Sequence, residues 1–370
     1  MSTPENRGPL QVTRRAQLLE MLQRDGVMRI SDLTDELGAA AVTIRRDIAQ
    51  LAAEGLVRRV HGGVALIVPD EPAPTDDTRT RSVTSLAGRS LGMLVPSLDY
   101  YWPDVARGAE EAARELEMRI VLRGSSYQTE DDKPQLSRLI EGKSVDGLVI
   151  APRMDAPTTE RTLRWLASTK LPVVLLERTA TVGPHHTVME SVVTDHQLGA
   201  ALAVRHLVSL GHRKVGCVIS RHSPHARTLH RGWLEALAEC DIDPSSTVEA
   251  QVPDARAAGW DDAIDEALDR CLRTGTTGLL VHADAEAIAL VQACEERHLC
   301  VPDDLSVVAY DDEVAGLFSP PLTAVRPPRG SIGRAAVRLV ADRLLDPDRP
   351  AHRVVISPML RVRGSTAAPR

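Results

Sequence analysis

Two pairs of adjacent arginines lie close together near the N-terminus of this 370-residue chain. Arg45 and Arg46 belong to the segment TIRRD, and Arg58 and Arg59 begin the segment RRVHGG. A guanidinium group is always charged and presents its N–H donors in a planar fork, which suits phosphates and the acceptors of guanine. These residue types at this spacing predict a surface that binds DNA.

Three short helices are predicted to position the first pair. Glycines mark the helix ends, and Ser31 is a residue type that often caps a helix N-terminus. The predicted helices span residues 13–24, 32–37 and 42–54, with a short extended segment over 27–30. This arrangement is typical of a helix-turn-helix module, whose last helix enters the major groove.

The third predicted helix has an inner and an outer face. Ile44, Ile48 and Leu51 recur at helical spacing, so we expect them to be buried. Val42 and Arg46 then point outward. The expected DNA contacts of this helix are Ala41, Val42, Thr43, Arg45 and Arg46.

Apolar residues alternate with arginines after the third helix, around a Gly-Gly pair. This pattern predicts a β-hairpin, or wing, over residues 56–66. Cations on such a wing contact phosphates or enter the minor groove. The expected contacts of the wing are Arg58, Arg59, His61, Gly62 and Gly63.

The distribution of charge agrees with a DNA-binding module on an acidic body. The whole chain has a net charge of −7, yet residues 41–64 contain four arginines and two acidic residues. The concentration of positive charge in this one segment favours binding of DNA through a single surface. The acidic remainder of the chain disfavours indiscriminate association with nucleic acid.

The composition changes after the wing. Residues 67–89 contain three prolines among acidic residues and threonines, which cannot pack a core. We expect this segment to be an extended tether. Residues 1–12 are expected to be disordered.

The remaining chain alternates β-rich runs with helical stretches. Strands are predicted over 91–95, 119–123, 147–151, 173–177, 215–220, 278–282 and 306–310, and helices over 105–116, 198–210 and 285–298. This order predicts an α/β fold of doubly wound parallel sheets with helices on both faces. Because the segment is too long for one such sheet, we expect two lobes, with a ligand cleft beyond the strand ends.

These segments resemble two known families. TIRRD and RVHGG resemble the DNA-binding domain of the DeoR family of bacterial repressors over residues 13–66, although Ala40 replaces the usual capping serine. HLVSLGHRKVG, VPDDLSVVAYDD, PPLTAV and LRVRGST resemble the effector domain of LacI/GalR repressors over residues 90–366. That domain is similar to periplasmic sugar-binding proteins.

The second resemblance implies two lobes joined by three crossovers, near residues 189–192, 320–325 and 346–352. Lobe 1 would comprise about 90–190 and 321–346, and lobe 2 about 191–320 and 347–366. A proline-rich tether replaces the hinge helix of usual LacI/GalR proteins. How a signal would reach the DNA-binding module is therefore left open.

Aromatic residues supply the first candidates for effector binding. Tyr100, Tyr101 and Trp102 are three of only nine aromatic residues in the chain, in an expected loop after the first strand of the body. Aromatic faces suit the apolar side of a sugar ring, although each residue is equally consistent with lid or core packing.

The resemblance implies further effector contacts at Glu177, Arg178, Trp260 and Asp311. A structural helix cap is the alternative role for Asp311, because it follows a strand directly. Two departures from the family concern the pocket. Leu229 stands where many relatives carry an arginine, which makes Arg227 the preferred substitute, and Ala283 replaces an asparagine beside Asp284.

The two resemblances together imply a cytoplasmic, homodimeric transcriptional repressor. It would bind an inverted-repeat operator in double-stranded DNA, under the control of a sugar or sugar derivative bound between the lobes. We expect no cofactor and no metal, since the five cysteines lack metal-site spacing. The histidine pairs His185-His186 and His222/His225 resemble metal ligands, but no carboxylate accompanies them at metal-site spacing, and loop histidines of this kind are usually solvated. No apolar run is long enough to span a membrane.

Three other functions compete with this interpretation. A regulator whose cleft does not respond to a ligand stays open. A sugar-processing enzyme is disfavoured, because the chain has no nucleophile elbow, P-loop, HExxH or dinucleotide motif. A transport-type binding protein is disfavoured by the DNA-binding motif and by the lack of a secretion signal.

Overall fold

The computed structural model describes residues 11–25, 27–53, 56–60, 63–66, 85–99, 101–125, 131–143, 145–255 and 257–370. The chain divides into two compact units, Met1–Ser82 and Val83–Arg370, and each is described by itself. The predicted site residues His61, Gly62 and Tyr100 lie outside the described residues, as do residues 67–84 of the expected tether and residues 1–10.

The N-terminal unit has three helices and a three-stranded antiparallel sheet of order β1-β3-β2. Its elements are α1 Gln11–Asp25, β1 Val27–Arg29, α2 Ile30–Leu37, α3 Ala41–Ala53, β2 Val57–Val60 and β3 Gly63–Leu66. The core joins all three helices to the sheet, and Ile44, Ile48 and Leu51 of α3 are buried in it, as their spacing predicts.

The start of α2 differs from the expectation. The helix begins at Ile30, so Ser31 lies inside its first turn and is not the N-cap. The Ser31 hydroxyl instead donates to Asp32 Oδ1 at 3.0 Å. The prediction was wrong because β1 is one residue shorter than its apolar pattern suggested, which leaves Ile30 to the helix.

Lobe 1 of the second unit contains a six-stranded parallel sheet of order β16-β10-β7-β6-β4-β5. Its strands are β4 Ser90–Val95, β5 Arg119–Gly124, β6 Gly147–Ile150, β7 Val173–Leu176, β10 Glu190–Thr194 and β16 Arg353–Ile356. Its helices are α4 Tyr101–Glu115, α5 Lys133–Lys143, α6 Thr159–Ser168 and α11 Arg329–Leu345. A small hairpin joins β8 Thr181–Val182 to β9 Thr187–Val188.

Lobe 2 contains a second six-stranded sheet, of order β12-β11-β13-β14-β15-β17, parallel except for the last strand. Its strands are β11 Val215–Ser220, β12 Glu249–Val252, β13 Gly278–His282, β14 Ser306–Tyr310, β15 Thr323–Arg326 and β17 Met359–Arg361. Its helices are α7 His196–Ser209, α8 Ala226–Glu239, α9 Trp260–Thr274 and α10 Asp284–Glu296. The predicted α/β fold with doubly wound parallel sheets is confirmed.

The chain passes between the two sheets three times, after β10, after β15 and after β16. All three crossovers lie C-terminal to the expected positions. Strand pairing determines the positions of the crossovers, because β10 pairs with β7, β15 pairs with β14, and β16 pairs with β10. Residues 191–194 and 353–356 therefore belong to the sheet of lobe 1, and residues 323–326 to that of lobe 2.

Among the described residues, no helix combines the length and the apolar character that crossing a bilayer requires. Helices α4 and α11 cover one face of lobe 1 and approach each other closely through glycines. A Cβ atom on Gly108 would lie 2.0 Å from the carbonyl oxygen of Gly330, and one on Gly333 would lie 2.0 Å from that of Val105. Both distances are far inside van der Waals contact, so this helix pair requires glycine.

The substitution Gly333→Ala is therefore expected to force α4 and α11 apart. We expect the free energy of unfolding to fall by about 1–3 kcal/mol, the usual cost of overpacking, as measured by urea denaturation. Gly142→Ala is the matched control, because no atom lies within 4 Å of its Cβ position in α5. The control is expected to gain about 0.5–1 kcal/mol. Equal effects of the two substitutions would contradict this account of the packing.

Candidate functional site

Helix α3 carries the predicted DNA-contacting residues of the N-terminal unit. Val42 is 74% exposed, and Arg45 and Arg46 are also exposed, whereas Ala41 and Thr43 are half-buried. The outer face expected from the sequence thus exists, with two guanidinium groups on it. A helix with such a face has the size and charge that a major groove accepts.

Asp47 anchors this helix from the inside. Its side chain is buried, with 1% of the residue exposed, and it accepts hydrogen bonds from Arg14 Nε at 2.6 Å and Arg15 Nε at 3.2 Å. Both arginines lie on α1, so the carboxylate fixes α3 to α1 with Arg45 and Arg46 turned outward. This role of Asp47 was not predicted from the sequence. Its position three residues after the buried Ile44 was the signal that it faces inward.

The first turn of α3 forms without a side-chain cap. The N–H groups of Thr43 and Ile44 donate to the Ala40 carbonyl oxygen at 2.8 and 3.1 Å. The main chain thus closes the turn at the position where the resembling family has a serine. The alanine at position 40 does not prevent the helix from forming.

The wing is a hairpin of β2 and β3. Arg58 pairs with Ala65 and Arg59 with Val64 in antiparallel register. The backbone of both arginines therefore lies on the outer strand of the sheet, whose order is β1-β3-β2. Their side chains lie outside the described part of the chain. The DNA-contacting role of the wing stays a prediction.

In the second unit, a buried carboxylate lies where the two lobes meet. Glu177 follows β7, and only 3% of it is exposed. Its Oε1 accepts hydrogen bonds from Tyr101 Oη at 2.5 Å and Thr194 Oγ1 at 2.7 Å. Its Oε2 accepts one from Thr194 N at 2.9 Å and contacts His196 Nε2 at 3.3 Å. Burial opposes ionisation of Glu177, but the hydrogen bond and charge of His196 outweigh it and lower the pKa of the carboxyl.

His196 extends this cluster into lobe 2. Its Nδ1 lies 2.9 Å from Oη of Tyr310, a fully buried residue at the end of β14. A Cβ atom on Gly199 would lie 2.3 Å from the same Oη, so glycine there leaves room for the tyrosine. The ring of His196 also stacks on that of His225, with centroids 3.8 Å apart. A continuous set of polar contacts thus joins the two lobes.

Two carboxylate residues of the interface have unusual backbone conformations. Glu177 has a φ of 52° and Asp311 a φ of 89°, and each follows directly after a parallel strand. Non-glycine residues in this region cost about 1–3 kcal/mol and are concentrated at functional sites. His282 Nε2, at the end of the neighbouring strand β13, lies 3.9 Å from Asp311 Oδ2.

Arg329 is a site residue that the sequence analysis missed. It begins α11, just after the second crossover, and its Nη1 donates to the Asp311 carbonyl oxygen at 2.7 Å. Its Nε donates to Asp104 Oδ2 at 3.1 Å, and its guanidinium carbon lies 5.7 Å from the ring centre of Tyr101. One side chain thus ties both lobes to the predicted site. The only sequence signal was a cation at a helix start, where the helix dipole disfavours it.

Burial shifts the charge states of this region. It raises the pKa of Asp311 to about 6, and with the nearby charge of Asp311 it raises the pKa of Glu313 to about 8. It lowers the pKa of His282 to about 4, and that of His225 well below its ordinary value. Near neutral pH the two imidazoles are therefore uncharged.

Asp284 and Trp102 have structural roles instead of the predicted contact with an effector. The Asp284 carboxylate accepts hydrogen bonds from four consecutive backbone N–H groups, residues 312–315, at 2.7–3.2 Å. It therefore holds the loop after β14. Trp102 lies in the first turn of α4, not in the expected loop, and it is buried in the core of lobe 1. Helical spacing turns it inward, while Tyr101 faces Glu177.

The remaining predicted effector residues occupy varied positions. Arg178 is buried, and its Nη1 donates to the Glu177 carbonyl oxygen at 2.7 Å. Trp260 begins α9, is half-buried, and packs against the core of lobe 2. Arg227 is exposed on the first turn of α8. The structure thus brings Tyr101, Glu177 and Arg178 together, and Arg329 joins Tyr101 to the backbone of Asp311.

The same region contains donor atoms of the types that hold metals. Glu177, His196 and His225 each offer one such atom, and these atoms lie within 4.8 Å of one another. His196 and His225 were not among the predicted site residues. They are separated in sequence from Glu177 and from each other, and only the first crossover and the loop before α8 bring them together.

The raised pKa of Glu313 predicts a specific pH dependence. The folded state favours the protonated carboxyl of Glu313. The contribution of this residue to the free energy of unfolding therefore falls as the pH rises from about 4.5 to about 8, and it is lowest above that range. Glu313→Gln should therefore gain stability relative to the wild type over this range. We expect on the order of 1 kcal/mol after solvent screening, measured by urea denaturation at several pH values. Glu296→Gln, on an exposed face of α10, is the control, and parallel profiles for the wild type and Glu313→Gln would refute the assignment.

Comparison with known proteins agrees with this architecture. Residues 14–69 match the DeoR-like helix-turn-helix domain family, and residues 204–366 match the periplasmic binding protein-like domain family. An HTH-type transcriptional regulator encoded in the aml 5' region of Streptomyces limosus is 31% identical over 355 residues, covering 89% of this chain and 96% of that protein.

A more distant relative and a solved structure extend the comparison. The HTH-type transcriptional repressor PurR of Aliivibrio fischeri is 28% identical over 291 residues, covering 77% of this chain and 83% of the relative. A LacI family transcriptional regulator from Enterococcus faecium, solved with bound ribose, superposes with a TM-score of 0.61 at 22% identity. The superposition covers 76% of this chain and 99% of the Enterococcus faecium chain. These relatives are named as regulators and not as enzymes.

This chain belongs to the HTH-type transcriptional regulators, with a DeoR-like helix-turn-helix domain and a LacI-type, periplasmic-binding-protein-like body.

Proposed function

We propose that this regulator is a repressor whose affinity for its operator is controlled by a small molecule, a sugar or sugar derivative, bound between the two lobes. The observation that carries the proposal is the polar cluster around Glu177. It lies beyond the strand ends, at the position where ligands bind in doubly wound α/β folds. The related PurR of Aliivibrio fischeri is named as a repressor, which supports this direction of control.

The DNA-binding part of the proposal rests on the outer face of α3. Arg45 and Arg46 are exposed there, while Asp47 holds the inner face. In a homodimer, two copies of α3 would enter successive major grooves of an inverted repeat, with half-sites one helical turn or a multiple apart. The backbone of Arg58, Arg59 and Gly63 lies on the wing, whose cations would contact phosphates.

The effector part rests on unusual polar chemistry in a buried place. Carboxylates and a tyrosine hydroxyl bind sugar hydroxyls through strong hydrogen bonds, and Glu177, Asp311 and Tyr101 supply these groups. The Nε1 donor of Trp260 is buried without a hydrogen-bond partner among the described residues. A ligand hydroxyl would satisfy it. The Enterococcus faecium neighbour binds ribose, which is the first sugar to test here.

Ligand binding would compete with contacts that join the lobes. The Glu177 carboxylate already bonds Tyr101, Thr194 and His196. A sugar that takes over some of these bonds changes the relative stability of two lobe arrangements, and it shifts their populations only by its differential affinity. We propose Tyr101, Glu177, Arg178, Arg227, Trp260 and Asp311 as the effector contacts.

One observation favours a second candidate function, a regulator whose lobes do not respond to any ligand. Both carboxylate oxygens of Glu177 are satisfied by donors of the protein itself. A cluster that is complete without a ligand has no need of one. Thermal denaturation against a panel of sugars separates the two candidates.

Substitution of the outward arginines tests the DNA-binding proposal. A footprint of the wild type upstream of its own gene would define the operator. Arg46→Ala should then weaken operator binding by about 1–3 kcal/mol, the value of one bidentate contact to guanine, in a fluorescence anisotropy titration at fixed salt. Arg24→Ala is the matched control, since it removes an exposed arginine from α1 that pairs with Glu36. Equal losses for Arg46→Ala and Arg24→Ala would mean that α3 does not read the operator.

Thermal denaturation against a sugar panel that begins with ribose tests the effector proposal. A sugar present at 100 times its dissociation constant should raise the free energy of unfolding by about 2.7 kcal/mol. Asp311→Asn should remove most of this shift. Asp303→Asn should keep it, because that aspartate lies on the surface of lobe 2 and pairs with Arg370. A panel without any shift would favour the unresponsive regulator.

A further inference from the structure

We propose that Glu177, His196 and His225 form a binding site for a divalent transition-metal ion, Zn²⁺ in the first instance, at the interface of the two lobes. The donor set is one carboxylate and two imidazoles, a combination that binds zinc in proteins and leaves one position open for water or another ligand. Metal binding needs neither DNA nor a sugar, although the site shares Glu177 with the proposed effector contacts.

The distances allow one ion to reach all three residues. The donor atoms lie within 4.8 Å of one another, and Glu177 Oε2 and His196 Nε2 are 3.3 Å apart. Ligands of one zinc ion, each bonded at about 2.0–2.2 Å, are separated by roughly 3–4 Å. The rings of His225 and His196 are stacked, with centroids 3.8 Å and planes 28° apart, so their in-plane lone pairs run nearly parallel. To bind the same ion as His196, His225 must therefore turn about its side-chain torsions until one ring nitrogen points at the ion.

The three ligands come from different parts of the body. Glu177 follows β7 in lobe 1, His196 begins α7 just after the first crossover, and His225 precedes α8 in lobe 2. An ion bound by all three would connect the lobes directly. Metal binding would thus stabilise this arrangement of the lobes relative to any arrangement in which they separate.

The surroundings supply the partners that orient metal ligands. His196 Nδ1 lies 2.9 Å from Tyr310 Oη, so the ring can donate from Nδ1 while Nε2 binds the ion. With the ion on Nε2, the imidazole proton resides on Nδ1 and Tyr310 Oη accepts it. A ring that carries protons on both nitrogens before binding releases the Nε2 proton to water. Glu177 Oε1 stays bonded to Tyr101 and Thr194, which hold the carboxylate in place.

The charges that face the site permit a cation. Glu177 and Asp311 are negative when ionised, whereas Arg178 and Arg329 are positive, so these four groups sum to zero charge. His282 lies 3.9 Å from Asp311 on the lobe 2 side. A divalent ion would offset the repulsion between the two carboxylates, at the cost of its own repulsion from the two arginines.

His225 is the best residue for a test, because it is half-buried and its replacement disturbs the core least. The full-length protein, free of any histidine tag, is treated with a chelator and dialysed. It is then titrated with ZnCl₂ in a calorimeter. A parallel titration with Co²⁺ records the visible absorption that reports nitrogen and oxygen ligands in a tetrahedral site.

The wild type is expected to bind one Zn²⁺ per chain in a saturable manner, and His225→Gln should weaken this binding more than about tenfold. Glu177→Gln provides a second variant with the same expectation. His222→Gln is the matched control, since His222 is exposed on the same loop and pairs with Asp254 at 3.1 Å. The proposal is overturned if the wild type shows no stoichiometric binding, if both ligand variants bind as the wild type does, or if His222→Gln loses as much affinity.

Discussion

The hydrogen bonds of the buried Glu177 carboxylate hold the site between the lobes together. Tyr101 and Thr194 bind it from lobe 1, and His196 links it to Tyr310 of lobe 2. A buried charge is stable only when such partners surround it, because desolvation would otherwise neutralise it. The lobes therefore cannot separate without rearranging these bonds.

A second buried carboxylate has a corresponding task in the N-terminal unit. Asp47 bonds Arg14 and Arg15 of α1 and so fixes the rotation of α3. This leaves Arg45 and Arg46 on the outside, where they can act on a partner. In both units, a buried carboxylate holds the groups around it in fixed positions, at the surface of one unit and between the lobes of the other.

The sequence was sufficient to predict the elements whose patterns are local. β11, β13 and β14 have the predicted bounds, and the inward face of α3 is confirmed. The sequence was insufficient where pairing between distant strands determines which lobe a segment joins. The lobe to which β10, β15 and β16 belong depends on the strands with which they pair, so the crossovers lie later in the chain than expected.

The candidate site was predictable only in part for the same reason. Tyr101, Glu177 and Asp311 follow strands, a local signal, and they lie in the interface region. Asp284 also stands after a strand, but the loop that folds back onto its carboxylate cannot be recognised from sequence. Arg329 and His225 reach the site only through crossovers and loops, so nothing in their neighbouring residues indicates their role.

A double-mutant cycle between Tyr101→Phe and Tyr310→Phe tests most directly whether this cluster couples the lobes. Each substitution removes one hydroxyl, from lobe 1 and lobe 2 respectively, at opposite ends of the path through Glu177 and His196. Free energies of unfolding from urea denaturation should reveal a coupling of at least about 0.5 kcal/mol, as for groups in one hydrogen-bond network. Effects that add to within about 0.3 kcal/mol would show that the two ends are independent and would contradict the account.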